Sequence, residues 1–273
     1  MFKKVSEAAA FIAERIPSSP EVGIILGTGL GGLSREIGNA VSIPYEVIPH
    51  FPRSTVEGHD GQLMAGHLNG KYILAMKGRF HFYEGYSLRE VVFPIRVMKL
   101  LGIKLLILSN ASGGLNPEFE VGDMMLVEDH INMMNLMSEN PLKGKHEPEF
   151  GEHFPDMSRP YDLEILEKAE RLASNLGIPY RKGIYVGVTG PTFETKAEYR
   201  YMRFLGADSV GMSTVPEAIA ANQMKLPVFA ISVIADLGVE GKIVEISHKH
   251  VIDAASLVEP SMTRLIKALI KEI

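Results

Sequence analysis

The chain has 273 residues, 46% apolar and 22% charged, enough apolar material for a sizeable core and far from the composition of disordered proteins. A formal net charge of −5 gives no basic footprint for a DNA or RNA backbone, so nucleic-acid partners are not expected. With no cysteine, disulfides, thiolate metal ligands and cysteine nucleophiles are excluded.

In chain order, Met1 to Ile16 reads first as an amphipathic helix, because Glu7, Glu14 and Arg15 interrupt what would have to be an apolar signal core. Short aliphatic runs then alternate with segments of helical period. The runs are Val22-Gly-Ile-Ile-Leu26, Tyr72-Ile-Leu-Ala-Met76, Leu105-Leu-Ile-Leu108, Met124-Met-Leu-Val127, Ile184-Tyr-Val-Gly-Val188 and Val228-Phe-Ala-Ile-Ser-Val-Ile234. Each suits a strand buried on both faces. Helices are expected at Leu88 to Leu101, Asp162 to Leu176, Glu194 to Leu205, Pro216 to Lys225 and His248 to the C-terminus, the last kinked by Pro260. Ser87 with Glu90 forms a capping box, and Pro216 sits where a first helical turn tolerates proline. The alternation predicts an α/β fold with a mostly parallel or mixed central β-sheet flanked by helices, with residues 1–273 as a single domain. No apolar run approaches the roughly 18 to 20 residues that cross a bilayer, so a soluble cytoplasmic protein without membrane partners is expected. Asn132 to Pro160 has neither periodicity and is long for a connection, either a surface excursion or a functional loop. Its Phe150 and Phe154 need something to pack on.

Four strand-end segments carry candidate chemistry. Gly27-Thr-Gly-Leu-Gly-Gly32 matches G-x-G-x-x-G, and Glu46 lies at about the right distance for a dinucleotide site, but Pro44 intervenes and the helix is too short. A tight turn, or an anion-binding loop with Thr28 as hydroxyl donor, are the remaining readings. In Gly78-Arg-Phe-His-Phe-Tyr-Glu-Gly85, an extended chain points Arg79, His81 and Tyr83 to one side, a set suited to phosphate and a sugar hydroxyl. The alternative is a solvated charged turn. Ser109-Asn-Ala-Ser-Gly-Gly-Leu115 offers free backbone donors or a simple turn. In Gly190-Pro-Thr-Phe-Glu-Thr195, Phe193 and Glu194 could stack on and hydrogen-bond a flat heterocycle, unless Glu194 is only a helix-start charge. In Val210-Gly-Met-Ser-Thr-Val-Pro-Glu217, Ser213 precedes a helix as a further anion donor, and Met212 would ordinarily be core.

Together with Val56-Glu-Gly-His59 and Asn110-Ala-Ser-Gly-Gly-Leu-Asn-Pro117, these segments resemble the trimeric purine nucleoside phosphorylase family, in order from about Val22 to His248. The resemblance implies a phosphorylase-type fold, a homotrimer, and reversible cleavage of purine nucleosides by phosphate to the free base and ribose 1-phosphate. It implies no metal or organic cofactor, inorganic phosphate being the co-substrate. Carried over by position, phosphate meets Thr28, His59, Arg79, His81, Ala111 through its backbone, and Ser213. Ribose meets Tyr83, Met212 and His248, with Phe154 reaching a neighbouring subunit's site. The base meets Tyr185, Phe193, Glu194, Val210 and Asp236. His81, Glu194, Asp236 and His248 are the expected catalytic set.

The chain departs from the family at Ile234-Ala-Asp-Leu237, where 6-oxopurine enzymes usually place Thr-Asn. An ionised Asp236 accepts from a 6-amino group and repels a 6-oxo group, and related phosphorylases acting on methylthioadenosine carry aspartate there. Glu194 pulls the other way, because a carboxylate pairs with the ring N–H of guanine or hypoxanthine. A neutral Asp236 could donate, so inosine and guanosine are the favoured substrates, with adenosine-type nucleosides or methylthioadenosine as the alternative. Thr28 replaces the family's common serine, and His250 rivals His248 as the sugar contact. Outside the family, a dinucleotide-dependent oxidoreductase and a non-catalytic nucleoside-binding protein are the competing readings.

Overall fold

The computed structural model describes residues 1–27, 31–53, 61–137 and 140–273. In chain order the elements are α1 (Phe2–Ala13), β1 (Val22–Leu26), β2 (Gly38–Pro44), β3 (Gln62–Leu68), β4 (Lys71–Lys77), α2 (Leu88–Val91), α3 (Phe93–Leu100), β5 (Leu105–Gly114) and β6 (Met124–Asn132). There follow α4 (Leu163–Asn175), β7 (Arg181–Gly187), α5 (Lys196–Phe204), β8 (Ser209–Gly211), α6 (Val215–Gln223), β9 (Val228–Leu237) and α7 (His248–Lys271).

The strands form one mixed sheet in the order β2-β3-β4-β1-β5-β8-β7-β6-β9. β1 runs parallel to β4 and β5, and β5 runs parallel to β9, so four strands present their carboxyl ends on the same side. β9 also pairs with β6, so the order β5-β8-β7-β6-β9 closes on itself. The aliphatic runs are strands because both faces are covered. Within β1, successive residues Ile24 and Ile25 join opposite clusters, Ile25 with Ile12, Leu74 and Phe93, and Ile24 with Leu166, Met262 and Leu269. Each fully buried aliphatic side chain of this kind contributes about 1.5–3 kcal/mol.

Several boundaries differ from the sequence pattern for identifiable reasons. The helix expected from Leu88 to Leu101 breaks at Val92, because Pro94 has no N–H to continue the ladder. α5 starts at Lys196 because Thr195 is its N-cap, accepting from the Glu198 N–H while the Glu198 carboxylate accepts from the Thr195 N–H. α7 runs through Pro260 as one helix to Lys271. Among its described residues the Asn132 to Pro160 excursion contains two short 3-10 turns, and it is pinned by Phe150, which is buried beneath the Arg96 guanidinium, 4.1 Å from its ring centroid.

Candidate active site

Where β5, β8 and β9 end, a cavity of about 310 Å³ opens, bounded also by the segment after β4, residues 191–194 and the start of α7. Ligand crevices in open α/β sheets form at such carboxyl ends. Arg79, His81, Tyr83, Ala111, Phe193, Glu194, Val210, Met212, Ser213, Asp236 and His248, all expected from the sequence, line it together. Asn110, Ser112, Gly113, Pro191, Gly211, Ala235 and Val251 complete the wall.

One group of lining residues supplies cationic and hydroxyl donors. The Arg79 side chain is 2% exposed and forms a fork with Glu217, while its Nη1 donates to the Ser109 carbonyl at 2.5 Å. His81 Nδ1 lies 3.0 Å from Glu84 Oε1, and the ring stacks on Tyr83 with centroids 4.6 Å apart. Burial lowers the His81 pKa against the opposing pull of Glu84, favouring the neutral ring. A carboxylate has no proton to give, so Nδ1–H donates to Glu84 and Nε2 is left as the acceptor. The ring can therefore take a proton from a hydrogen phosphate. Glu84 was not singled out in the sequence; its spacing of three from His81 was the signal, and it also accepts from the His81 backbone N–H at 2.8 Å. Ser213 stands two residues ahead of α6, its N–H donating to the Tyr185 hydroxyl at 3.3 Å.

The wall also holds two carboxyl groups that feel each other's charge. Burial pushes Asp236 up to about 6. Glu194 is pushed up to about 7 by burial and, to a smaller extent, by the charge of Asp236, against hydrogen bonds from its own backbone N–H and from Tyr199. Because Thr195 takes the cap, Glu194 stands outside the helix and faces the cavity, so it is not a helix-start charge. Gly113 lets Asp236 in: a Cβ there would meet Asp236 Oδ2 at 3.2 Å and Val210 Cγ1 at 3.3 Å. Burial pushes the Tyr83 phenol, stacked on His81, up to about 12, so it remains a hydroxyl donor. His248 is the first residue of α7, whereas His250 Nδ1 accepts from the Ser247 N–H at 3.2 Å and serves the helix cap. That arrangement selects His248 over His250 as the cavity histidine.

Tyr185 does not line the cavity. It is fully buried behind the wall, where its hydroxyl abuts Gly211 and supports Ser213. Phe154 is also absent from this cavity; it is 84% exposed beside a separate, larger cleft with His130 and Asn132. Thr28 and His59 lie outside the described residues. Among the described residues, no group of three or more His, Asp or Glu is placed to hold a metal ion, and no helix is long and apolar enough to cross a membrane.

Residues 21–271 match the Phosphorylase superfamily. The chain is 49% identical over 272 residues to purine nucleoside phosphorylase 1 of Bacillus subtilis, covering 100% of this chain and 99% of that protein. The fold is similar to isoform 2 of purine nucleoside phosphorylase from Schistosoma mansoni, solved with cytosine and ribose-1-phosphate, at a TM-score of 0.96 and 39% identity over 100% of this chain and 97% of that one. A purine nucleoside phosphorylase of the same organism solved with adenosine gives 0.95 at 37% identity, covering 99% and 97% of the two chains. Solved with inosine, it gives 0.94 at 36% over 99% and 96%. With its fold, its cavity and this similarity along the whole chain, the protein belongs to the phosphorylase superfamily and, within it, to the purine nucleoside phosphorylases.

Proposed function

We propose that the protein catalyses reversible phosphorolysis of purine nucleosides and deoxynucleosides, inosine and guanosine foremost, to the free base and (deoxy)ribose 1-phosphate. The observation that carries this reading is one cavity that brings together anion donors and two carboxyl groups of raised pKa. Breaking the glycosidic bond builds positive charge on the sugar and negative charge on the departing purine. Phosphate held by Arg79, His81, Ser213 and the Ala111 N–H, with Thr28 and His59, stabilises the sugar and then attacks its anomeric carbon. Positioning and electrostatics supply most of the catalysis.

Tyr83, Met212 and His248 hold the ribose, and Phe193 lies against sugar and base. Glu194 accepts from the purine ring N–H, and a protonated Asp236 donates to the 6-oxo group. Phosphate is the co-substrate, and the reading requires no metal or organic cofactor. Burial raises the Asp236 pKa to about 6, so the neutral, donating carboxyl that a 6-oxo group needs costs less at neutral pH than for an ordinary aspartate. An ionised Asp236 instead suits adenosine, the ligand in one of the similar structures. The same reading makes the protein a cytoplasmic purine-salvage enzyme assembled as a homotrimer, with Phe154 of the partner subunit completing each sugar site. The exposure of Phe154 supports that role.

The test compares phosphate-dependent base release from inosine, guanosine, adenosine and methylthioadenosine, each against a phosphate-free control. Inosine or guanosine cleavage is expected to dominate. Preference for the 6-amino substrates would transfer control of specificity to ionised Asp236, and release without phosphate would remove the phosphorylase reading.

A further inference from the structure

Arg79, Ala111 and Ser213 come from three distant parts of the chain, and a buried residue outside the cavity wall ties them together. Glu217, in the first turn of α6, accepts from Arg79 Nε at 3.1 Å and from Arg79 Nη2 at 2.5 Å. Its Oε2 also accepts from the Thr214 backbone N–H at 3.0 Å. The Glu217 side chain is 4% exposed.

Thr214 is a residue that needs holding. It is a non-glycine at φ +68 and ψ −52, and the Val215 N–H donates across it to the Ser213 carbonyl at 2.7 Å. That is a γ-turn of the rare strained hand, which persists only where its surroundings hold it. The Thr214 hydroxyl accepts from Asn110 Nδ2 at 2.8 Å and lies 3.1 Å from the Ser213 hydroxyl. Asn110 directly precedes Ala111. Arg79 is thus joined through Glu217 to the turn that aims Ser213, and through Thr214 to the strand end that supplies the Ala111 N–H.

Helix capping accounts for the Thr214 contact but not for the two-pronged hold on Arg79. A carboxylate on an anion-binding arginine also offsets part of its charge, which weakens phosphate attraction unless the geometry gained outweighs the loss. We infer that Glu217 is a positioning residue for phosphate: it fixes the plane of the Arg79 guanidinium and the strained Thr214 turn so that Arg79, Ala111 and Ser213 converge on one anion. The inference rests on the phosphate assignment of the preceding section.

The experiment measures KM for inorganic phosphate and for inosine separately in wild type, Glu217→Gln and Glu217→Asp, with a thermal melt of each. Glu217→Gln removes the charge and keeps the shape. Glu217→Asp keeps the buried negative charge but draws the carboxylate back from the Arg79 fork. Both variants are expected to raise the phosphate KM roughly tenfold or more while the inosine KM stays within about twofold. A phosphate KM unchanged in the folded variants, or an equal rise in both KM values, would make Glu217 merely structural and overturn the inference. Wild-type protein with no phosphate-dependent base release would instead overturn the reading on which it rests.

Discussion

Asp236 and Glu194 share one cavity, and their titration sets a pH window for catalysis. For a 6-oxopurine, Glu194 must be ionised to accept the ring N–H and Asp236 must be protonated to donate to the oxo group. A raised carboxyl pKa means the proton persists to higher pH than usual and is lost as pH climbs through it. With Asp236 near 6 and Glu194 near 7, the required pair of states is most populated between about pH 6 and 7, and above that the donor to the 6-oxo group is lost faster than further Glu194 ionises. The kcat/KM for inosine is therefore expected to fall on the alkaline side in wild type. Asp236→Asn carries an amide donor at every pH, so its alkaline limb is expected to flatten. Superimposable alkaline limbs in the two proteins would remove Asp236 from base recognition. Arg79 calls for a different substitution strategy. Arg79→Ala abolishes its phosphate contact but strands Glu217 as a buried, unpaired carboxylate, at a cost of about 3–5 kcal/mol. A large drop in melting temperature should therefore accompany its loss of activity, whereas Arg79→Met with Glu217→Met should regain stability without regaining phosphorolysis. Comparing the melts and phosphate-dependent rates of these two proteins checks both statements.

At the scale of elements, helix caps decide which side chains reach the cavity. Thr195 ends the approach to α5 and leaves Glu194 outside the helix. Thr195→Ala should cost about 1 kcal/mol and lower kcat/KM for inosine, since Glu194 is bonded directly to the frayed position. Thr195→Ser should restore both, and an alanine variant matching wild type in melt and rate would contradict the coupling. The same scale explains what the sequence disclosed. The strands around β1 and β5 were legible because they are apolar on both faces, and the loops after them because phosphate chemistry demands particular residue types there. β2 is largely exposed and β8 has three residues, so neither leaves an aliphatic run. Glu217 reads as an ordinary cap partner because only the fold brings Arg79, 138 positions away, against it. Tyr185, expected at the base, lies fully buried behind Gly211, a placement that residue type and spacing do not reveal.

Across the whole molecule, the cavity of one chain gathers most of the residues proposed for phosphate, base and sugar, while Phe154 lies exposed beside a different cleft. A large aromatic ring in that position costs less when a second copy covers it. If Phe154 of the partner subunit closes each sugar site, Phe154→Ala should raise the inosine KM without changing the phosphate KM. The stronger check uses complementation. A Glu194→Ala subunit lacks a base contact of its own cavity but still offers Phe154 to a neighbour, whereas a Phe154→Ala subunit has an intact cavity and lacks the offering. In mixed oligomers, some Phe154→Ala cavities receive the phenylalanine they lack from a Glu194→Ala neighbour and become complete. Co-expressed variants should therefore show higher kcat/KM at low inosine than the sum of the two made separately, and light scattering should report a trimer. A strictly additive rate from demonstrably mixed oligomers would place Phe154 outside the site, and a monomer would leave no neighbour to supply it.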